Sequence, residues 1–236
     1  MRSMDRSEVR VVQAALDLPA PRIEALHRTL TDEERIKAAR FHQALHRDRY
    51  IAGRGQLRQQ LGAYLGIPPE RVRLLTGPHG KPELAPECNP DDLRFNLAHS
   101  EDRALYAFAR GRHLGVDIEY MRANIEIETL AAHFFAPNEA STLLALPEAQ
   151  RLTAFFACWT RKEAYLKARG DGIPFGLDKF EVSLTPDAPA ALLSTAFDPA
   201  DRGRWTLHAL EVGPGFAAAM VIEGQDSPAI SLSRLE

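Results

Sequence analysis

The stretch WTRKEAYLK, Trp159 to Lys167, lies inside a helical pattern that runs from about Leu152 to Ala168. At about 100° per residue, Leu152, Phe156, Trp159 and Leu166 share one stripe, and Glu163 falls on that same stripe. An unpaired buried charge costs several kcal/mol, so a carboxylate on this face must neutralise, find a cation or line a cleft. Lys167 stands four residues on, but such a helical pair contributes only about 0.2–0.5 kcal/mol on an exposed surface. An ordinary Glu/Lys pair at the edge of an apolar face would account for the stretch unless another part of the chain supplies a partner.

GVDIE, Gly115 to Glu119, offers one. A strand period of two puts Val116 and Ile118 on one face and Asp117 and Glu119 on the other. A half-exposed strand showing its polar side to water is the plain alternative. Against it, like charges on neighbouring same-face positions repel, and a divalent cation relieves that repulsion. Asp117, Glu119 and Glu163 together are hard oxygen ligands of the kind that suit Mg²⁺, which commonly takes its remaining ligands from substrate phosphates.

The 236 residues allow one large domain or two smaller ones, and 45% hydrophobic with 26% charged residues is ordinary for a globular protein. The net charge of −3 hides a division. Between Arg22 and Arg73 there are 11 Lys and Arg against 6 Asp and Glu, an excess of five positive charges that leaves the remainder eight negative. A basic half opposite an acidic half suits a polyanionic small molecule held with a metal. Nucleic acid is disfavoured, because the basic stretch carries few aromatics. Cys88 and Cys158 are too few for a disulfide framework or a zinc site, and Cys158 reads as a core thiol. The N-terminal MRSMDRSEVR has no apolar signal region and no run approaches a membrane span, so a cytoplasmic protein is expected.

Along the chain, Val9 to Leu16 reads as a strand. Thr31-Asp32-Glu33-Glu34 has the form of a capping box and predicts a helix carrying Arg35, Lys37 and Arg40 past Phe41. A second helix from about Arg47 to Leu65 buries Tyr50, Leu57, Leu61 and Tyr64 and closes at Gly66. Its arginines 47, 49, 54 and 58 form either a solvated face or a phosphate clamp, and Gly53 and Gly55 leave room for close packing or a ligand. Arg71 to Leu75 and Leu93 to Ser100 read as strands, with turns at Gly77-Pro78 and Gly80-Lys81-Pro82 and with His99 and Ser100 at the end of the second strand. Ala104 to Ala109 and Leu114 to Glu119 look like a hairpin across Arg110-Gly111-Arg112. Helices at 125–135 and 138–146 are separated by Pro137 and Pro147, and Gly170-Asp171-Gly172 ends the long helix. Strands follow at 177–184, 205–212 and 216–223, with an irregular insert from Pro186 to Asp201. The order predicts an α+β fold of two similar lobes, 1–113 and 114–236.

GVDIE paired with WTRKEAYLK resembles the signature of the 4′-phosphopantetheinyl transferases. GKP (Gly80 to Pro82), FNLAHS (Phe95 to Ser100) and the ARF segment (Ala39 to Phe41) resemble motifs of the longer, Sfp-type branch. The resemblance implies a pseudo-twofold, two-lobed monomer with coenzyme A in the cleft between lobes. It implies Mg²⁺ on Asp117, Glu119 and Glu163, Lys167 beside the pyrophosphate, and His99 and Lys81 around the 3′-phosphoadenosine. Lys37 and Arg49 fall where the family has basic residues near the coenzyme A phosphates. Glu34 stands where some members have another lysine, with Arg35 as a possible substitute, and Ala98 replaces a serine of the family pattern. The activity implied is transfer of the phosphopantetheine arm to a serine of an apo acyl or peptidyl carrier protein, which docks near Met121 to Phe135. Asp117, Glu163 and Lys167 are the catalytic candidates. From the residues alone, a Mg²⁺-dependent hydrolase of a nucleotide pyrophosphate and a silent binding module stay open.

Overall fold

A computed structural model describes residues 4–77, 80–170, 176–226 and 228–235. Strand β1 (Glu8–Ala15) buries Val9, Val11, Val12 and Ala14 and leads to helix α1 (Ala20–His27). Thr31 then caps α2 (Asp32–Ala39). Its hydroxyl accepts from the Glu34 amide, and the Glu34 carboxylate accepts from the Thr31 amide, which is the capping box expected. Helix α2 ends at Ala39 with Arg40 as its cap, and so stops short of Phe41. Helix α3 (Ala44–Leu65) starts before Arg47 and closes on Gly66 at φ 68°. Leu57 and Leu61 are fully buried, while Tyr50 and Tyr64 are half-buried. A Cβ added at Gly55 would lie 2.7 Å from Leu26 Cβ, so that glycine serves the packing of α1 on α3.

Strands β2 (Leu74–Thr76) and β3 (Pro82–Leu84) form a small antiparallel pair. The first begins later than Arg71 because Pro69–Arg71 take a 3₁₀ turn. Of the Gly77-Pro78 turn, Pro78 lies outside the described residues. Strands β4 (Leu93–Ser100) and β5 (Arg103–Arg110) pair antiparallel, and β5 pairs with β1 on its other side. Strand β6 (Leu114–Tyr120) does not continue this sheet, so the hairpin expected between 104–109 and 114–119 is absent. The chain turns at Gly111, φ 63°, and lays β6 in a second sheet. Val116 and Ile118 then bury against Val9, Val11, Leu105, Ala107 and Ala109 of the first sheet. Burial of that apolar face outweighs one further ladder of hydrogen bonds.

Pro137 opens α5 (Pro137–Ala145) after α4 (Ile127–Phe134), and Pro147 precedes α6 (Glu148–Arg169). Gly170 ends α6 at φ 83°; Asp171 and Gly172 lie outside the described residues. The stretch 177–184 is a 3₁₀ turn followed by a short strand, β7 (Phe180–Val182). Its antiparallel partner β8 (Leu192–Thr195) lies inside the segment read as irregular, and α7 (Asp201–Arg204) closes that segment. Strands β9 (Trp205–Ala209) and β10 (Phe216–Glu223) complete the second sheet in the order β6-β10-β9. The last strand, β11 (Ala229–Arg234), was not legible in the sequence and runs parallel to β1, so the end of the chain returns to the first sheet. The class is α+β, and each of two sheets packs against a 22-residue helix closed by a left-handed glycine.

Helix α6 lies across β6 and β10. A Cβ on Gly115 would stand 2.1 Å from the Ala164 carbonyl oxygen and 2.4 Å from the Ala168 nitrogen, both backbone atoms. The far side of α6 is fixed by charge. Lys162, fully buried, pairs with Glu139 at 2.6 Å and donates to the carbonyls of Leu177 (2.8 Å) and Phe180 (2.5 Å). Gly115→Ala is expected to push α6 off β6 and to cost at least about 1–3 kcal/mol. Denaturant unfolding measures this, and an unchanged midpoint would contradict the close approach.

Candidate active site

Strand β6 turns Asp117 and Glu119 away from the inter-sheet core and toward α6, which delivers Glu163 from its own buried face. The strand does not show its polar side to water as a whole: Asp117 is 4% accessible and Glu119 is half-buried, and Glu163 on α6 is 9% accessible. As an edge strand β6 has amides to satisfy, and side chains of β4 satisfy two of them. Asn96 Oδ1 accepts from the Val116 amide at 2.8 Å, and Ser100 Oγ accepts from the Tyr120 amide at 3.0 Å. The Ser100 hydroxyl then donates to Glu119 Oε2 at 2.9 Å and so fixes that carboxylate.

Lys167 pairs with Asp117 rather than with Glu163. Its Nζ lies 2.6 Å from Asp117 Oδ1 and 3.4 Å from the Val116 carbonyl. Asp117 Oδ2 is buried with no hydrogen-bond partner among the described residues. Burial pushes the Asp117 carboxyl up to about 7; Lys167 opposes the rise, and the charges of Glu119 and Glu163 add to it. Burial also raises Glu163, against Lys167 and with Glu119. The three acids line one cavity of about 810 Å³ together with Lys81, His99, Trp159 and Lys167. Among the described residues, no three acidic, His or Cys side chains are drawn into a ready metal cage. The donor set nonetheless suits a hard divalent cation: three carboxylates, an orphaned buried oxygen, and mutual repulsion that a cation would relieve.

A second cavity of about 630 Å³ adjoins the first and shares Arg54, Leu97, His99 and Glu119 with it. Lys37, His46, Arg49 and Tyr50 supply its basic and aromatic wall. Arg49 is matched by Asp17, at 2.6 and 2.9 Å, and by Glu101 at 3.4 Å. Lys37 Nζ stands 5.4 Å from the centroid of the Tyr50 ring. Burial and then Lys167 hold His99 below its ordinary value, with Glu119 opposing. Lys81 is already engaged, since its ammonium donates to the carbonyls of Lys167 (2.6 Å) and Leu114 (3.2 Å), tying the end of α6 to the start of β6. Burial lowers it to about 8.

Every residue the sequence nominated therefore lines one of two joined cavities. The supporting arginines divide. Arg58 is buried on Glu34 and is neither a solvated face nor a clamp, and Arg35 and Arg47 line a different cavity. Sequence reasoning missed the Ser100–Glu119 contact and the Lys162–Glu139 pair. The second had a signal, because Lys162 is one residue from Glu163 and so points about 100° away from the cleft.

Buried acids beside a cavity walled by Lys37, His46 and Arg49 have the chemistry that suits a phosphate-bearing ligand. The comparisons specify the class: the chain belongs to the 4′-phosphopantetheinyl transferase superfamily, whose family model matches residues 113–221, from β6 through α6 to β10. It is 41% identical over 217 residues to the 4′-phosphopantetheinyl transferase HetI of Nostoc sp., covering 92% of this chain and 88% of that one. It is 29% identical over 202 residues to the 4′-phosphopantetheinyl transferase Sfp of Bacillus subtilis, covering 84% of each. No helix among the described residues is long and apolar enough to cross a membrane.

Asp117 gives a pH prediction. Its folded value of about 7 lies above the ordinary 3.8, so between these values the folded chain binds more protons than the unfolded one. The stability this group contributes is fully present below 3.8 and is lost as pH rises through about 7. In metal-free buffer, the melting temperature of Asp117→Asn minus that of the wild type should increase across this window. A difference independent of pH would refute the burial effect.

Proposed function

We propose that the protein transfers the 4′-phosphopantetheine arm of coenzyme A to a serine hydroxyl of an apo carrier protein and releases 3′,5′-ADP. The observation that carries this reading is the joining of the Asp117, Glu119 and Glu163 cavity to the basic cavity of Lys37, Arg49 and His99. Asp117, Glu119 and Glu163 would hold Mg²⁺, which when bound supplies neutralisation of charge on the pyrophosphate oxygens.

The residues divide the remaining work. Lys37 and Arg49 bind phosphates of coenzyme A, and His99 and Lys81 flank its 3′-phosphoadenosine end. Glu163, raised by burial, accepts the proton of the carrier serine. The serine oxygen forms a bond to the β-phosphorus that bears pantetheine. The bond from that phosphorus to the bridging oxygen breaks, and its electron pair leaves with 3′,5′-ADP. Lys167, whose ammonium sits on Asp117, neutralises charge on the departing phosphate. The carrier approaches over residues 121–135. We read the chain as a cytoplasmic monomer with lobes 1–113 and 114–236, the last strand of the second reaching back to the first sheet.

Intact-mass analysis of an apo carrier with coenzyme A and Mg²⁺ tests the reaction. Addition of phosphopantetheine supports it, free phosphopantetheine shows a hydrolase, and no change leaves a binding module. Asp117→Ala and Glu163→Ala should each lower transfer by at least about a hundredfold while the protein stays folded, as should removal of Mg²⁺ by chelation. Near wild-type turnover in either variant would sink the metal assignment.

A further inference from the structure

We infer that Arg54 is a phosphate contact for coenzyme A, set in place by Glu34; the inference rests on the transferase reading above. Among the described residues, Arg54 is the arginine that lines both cavities, alongside His99, Leu97 and Glu119 at their junction. A ligand that occupies both cavities must pass it.

The local charge balance singles it out. Glu34 holds two arginines. Arg58, 2% accessible, closes on it with Nε at 2.6 Å and Nη2 at 3.1 Å, and spends Nη1 on the carbonyls of Pro69 and Val72, both at 3.0 Å. That bidentate pair cancels the Glu34 charge inside the fold. Arg54 meets the same carboxylate at 3.3 Å through Nε, so the trio keeps one net positive charge, and of the two arginines Arg54 is the one that reaches the cleft. Arg49, by contrast, faces two acids, Asp17 and Glu101. Arg35 does not compete for the role: its guanidinium is spent on Asp32 Oδ1 and on the carbonyls of His27 and Arg28, at another cavity. The Arg54 guanidinium also hydrogen-bonds the Tyr50 hydroxyl, so Glu34 and Tyr50 fix its plane at the cavity junction, and a guanidinium held this way is pre-organised to present a further donor to a phosphate.

The test is calorimetric titration of coenzyme A into the full-length wild type, Arg54→Gln, Arg54→Lys and Arg35→Gln, with melting temperatures recorded for each. Arg54→Gln should weaken coenzyme A by roughly tenfold or more at an unshifted melting temperature. Arg54→Lys should recover part of the loss, and Arg35→Gln should bind as the wild type. Wild-type affinity in Arg54→Gln, or a loss in Arg35→Gln instead, would overturn the inference. If Arg54→Gln melts lower and Arg54→Lys recovers stability without affinity, Arg54 is structural and the inference also falls. Wild-type protein that binds coenzyme A but modifies no carrier would refute the transferase reading and leave the Arg54 result standing.

Discussion

The site depends on the contact between the backbone of α6 and Gly115. With no side chain at that position, the helix axis comes close enough to β6 for Glu163 and Lys167 to meet Asp117 across the gap. Distance alone does not fix which residues face the cleft, because the helix could turn about its axis. The Lys162–Glu139 pair sets that rotation. A fully buried ammonium with a carboxylate and two carbonyls for partners cannot leave its pocket without an unpaired buried charge, which costs several kcal/mol. With Lys162 held on one side, Glu163 is held in the cleft.

The junction of the two sheets is the second constraint. An edge strand normally exposes a row of amides, but Asn96 and Ser100 of β4 supply side-chain acceptors to Val116 and Tyr120. The same serine hydroxyl orients Glu119, so the device that seals the seam also arranges a candidate metal ligand. Lys81 adds a third tie, from the first half of the chain to the Lys167 carbonyl near the end of α6 and the Leu114 carbonyl at the start of β6. The cleft is built where the halves are joined, and its acids are costly to ionise because joining the halves buries them.

Much of this was legible in the sequence because it was local. The capping box at Thr31, the left-handed glycines 66 and 170 and the apolar stripe of α6 all act within a few residues, and each appears where the pattern placed it. The grouping of Asp117, Glu119 and Glu163 was readable because a carboxylate on an apolar face demands a reason. Readings failed where long-range packing decided the outcome. Strands β5 and β6 have the sequence of a hairpin, yet β6 gains more by burying Val116 and Ile118 against the first sheet. Strand β8, in an Ala- and Pro-rich segment, is specified by its partner β7, and β11 by β1 at the opposite end of the chain. The arginines of α3 share a sequence context, and only tertiary structure separates Arg58, sealed on Glu34, from Arg54, which lines the cleft.

We propose that the packing of α6 on β6 turns three mutually repelling carboxylates into a divalent-cation site. Electron paramagnetic resonance of Mn²⁺, titrated into the protein with coenzyme A present, tests it most directly. One bound Mn²⁺ per wild-type chain is expected, with loss of that binding in Asp117→Asn while the fold is retained. Mn²⁺ binding that is indifferent to Asp117, or absent from the wild type at saturating coenzyme A, would contradict it.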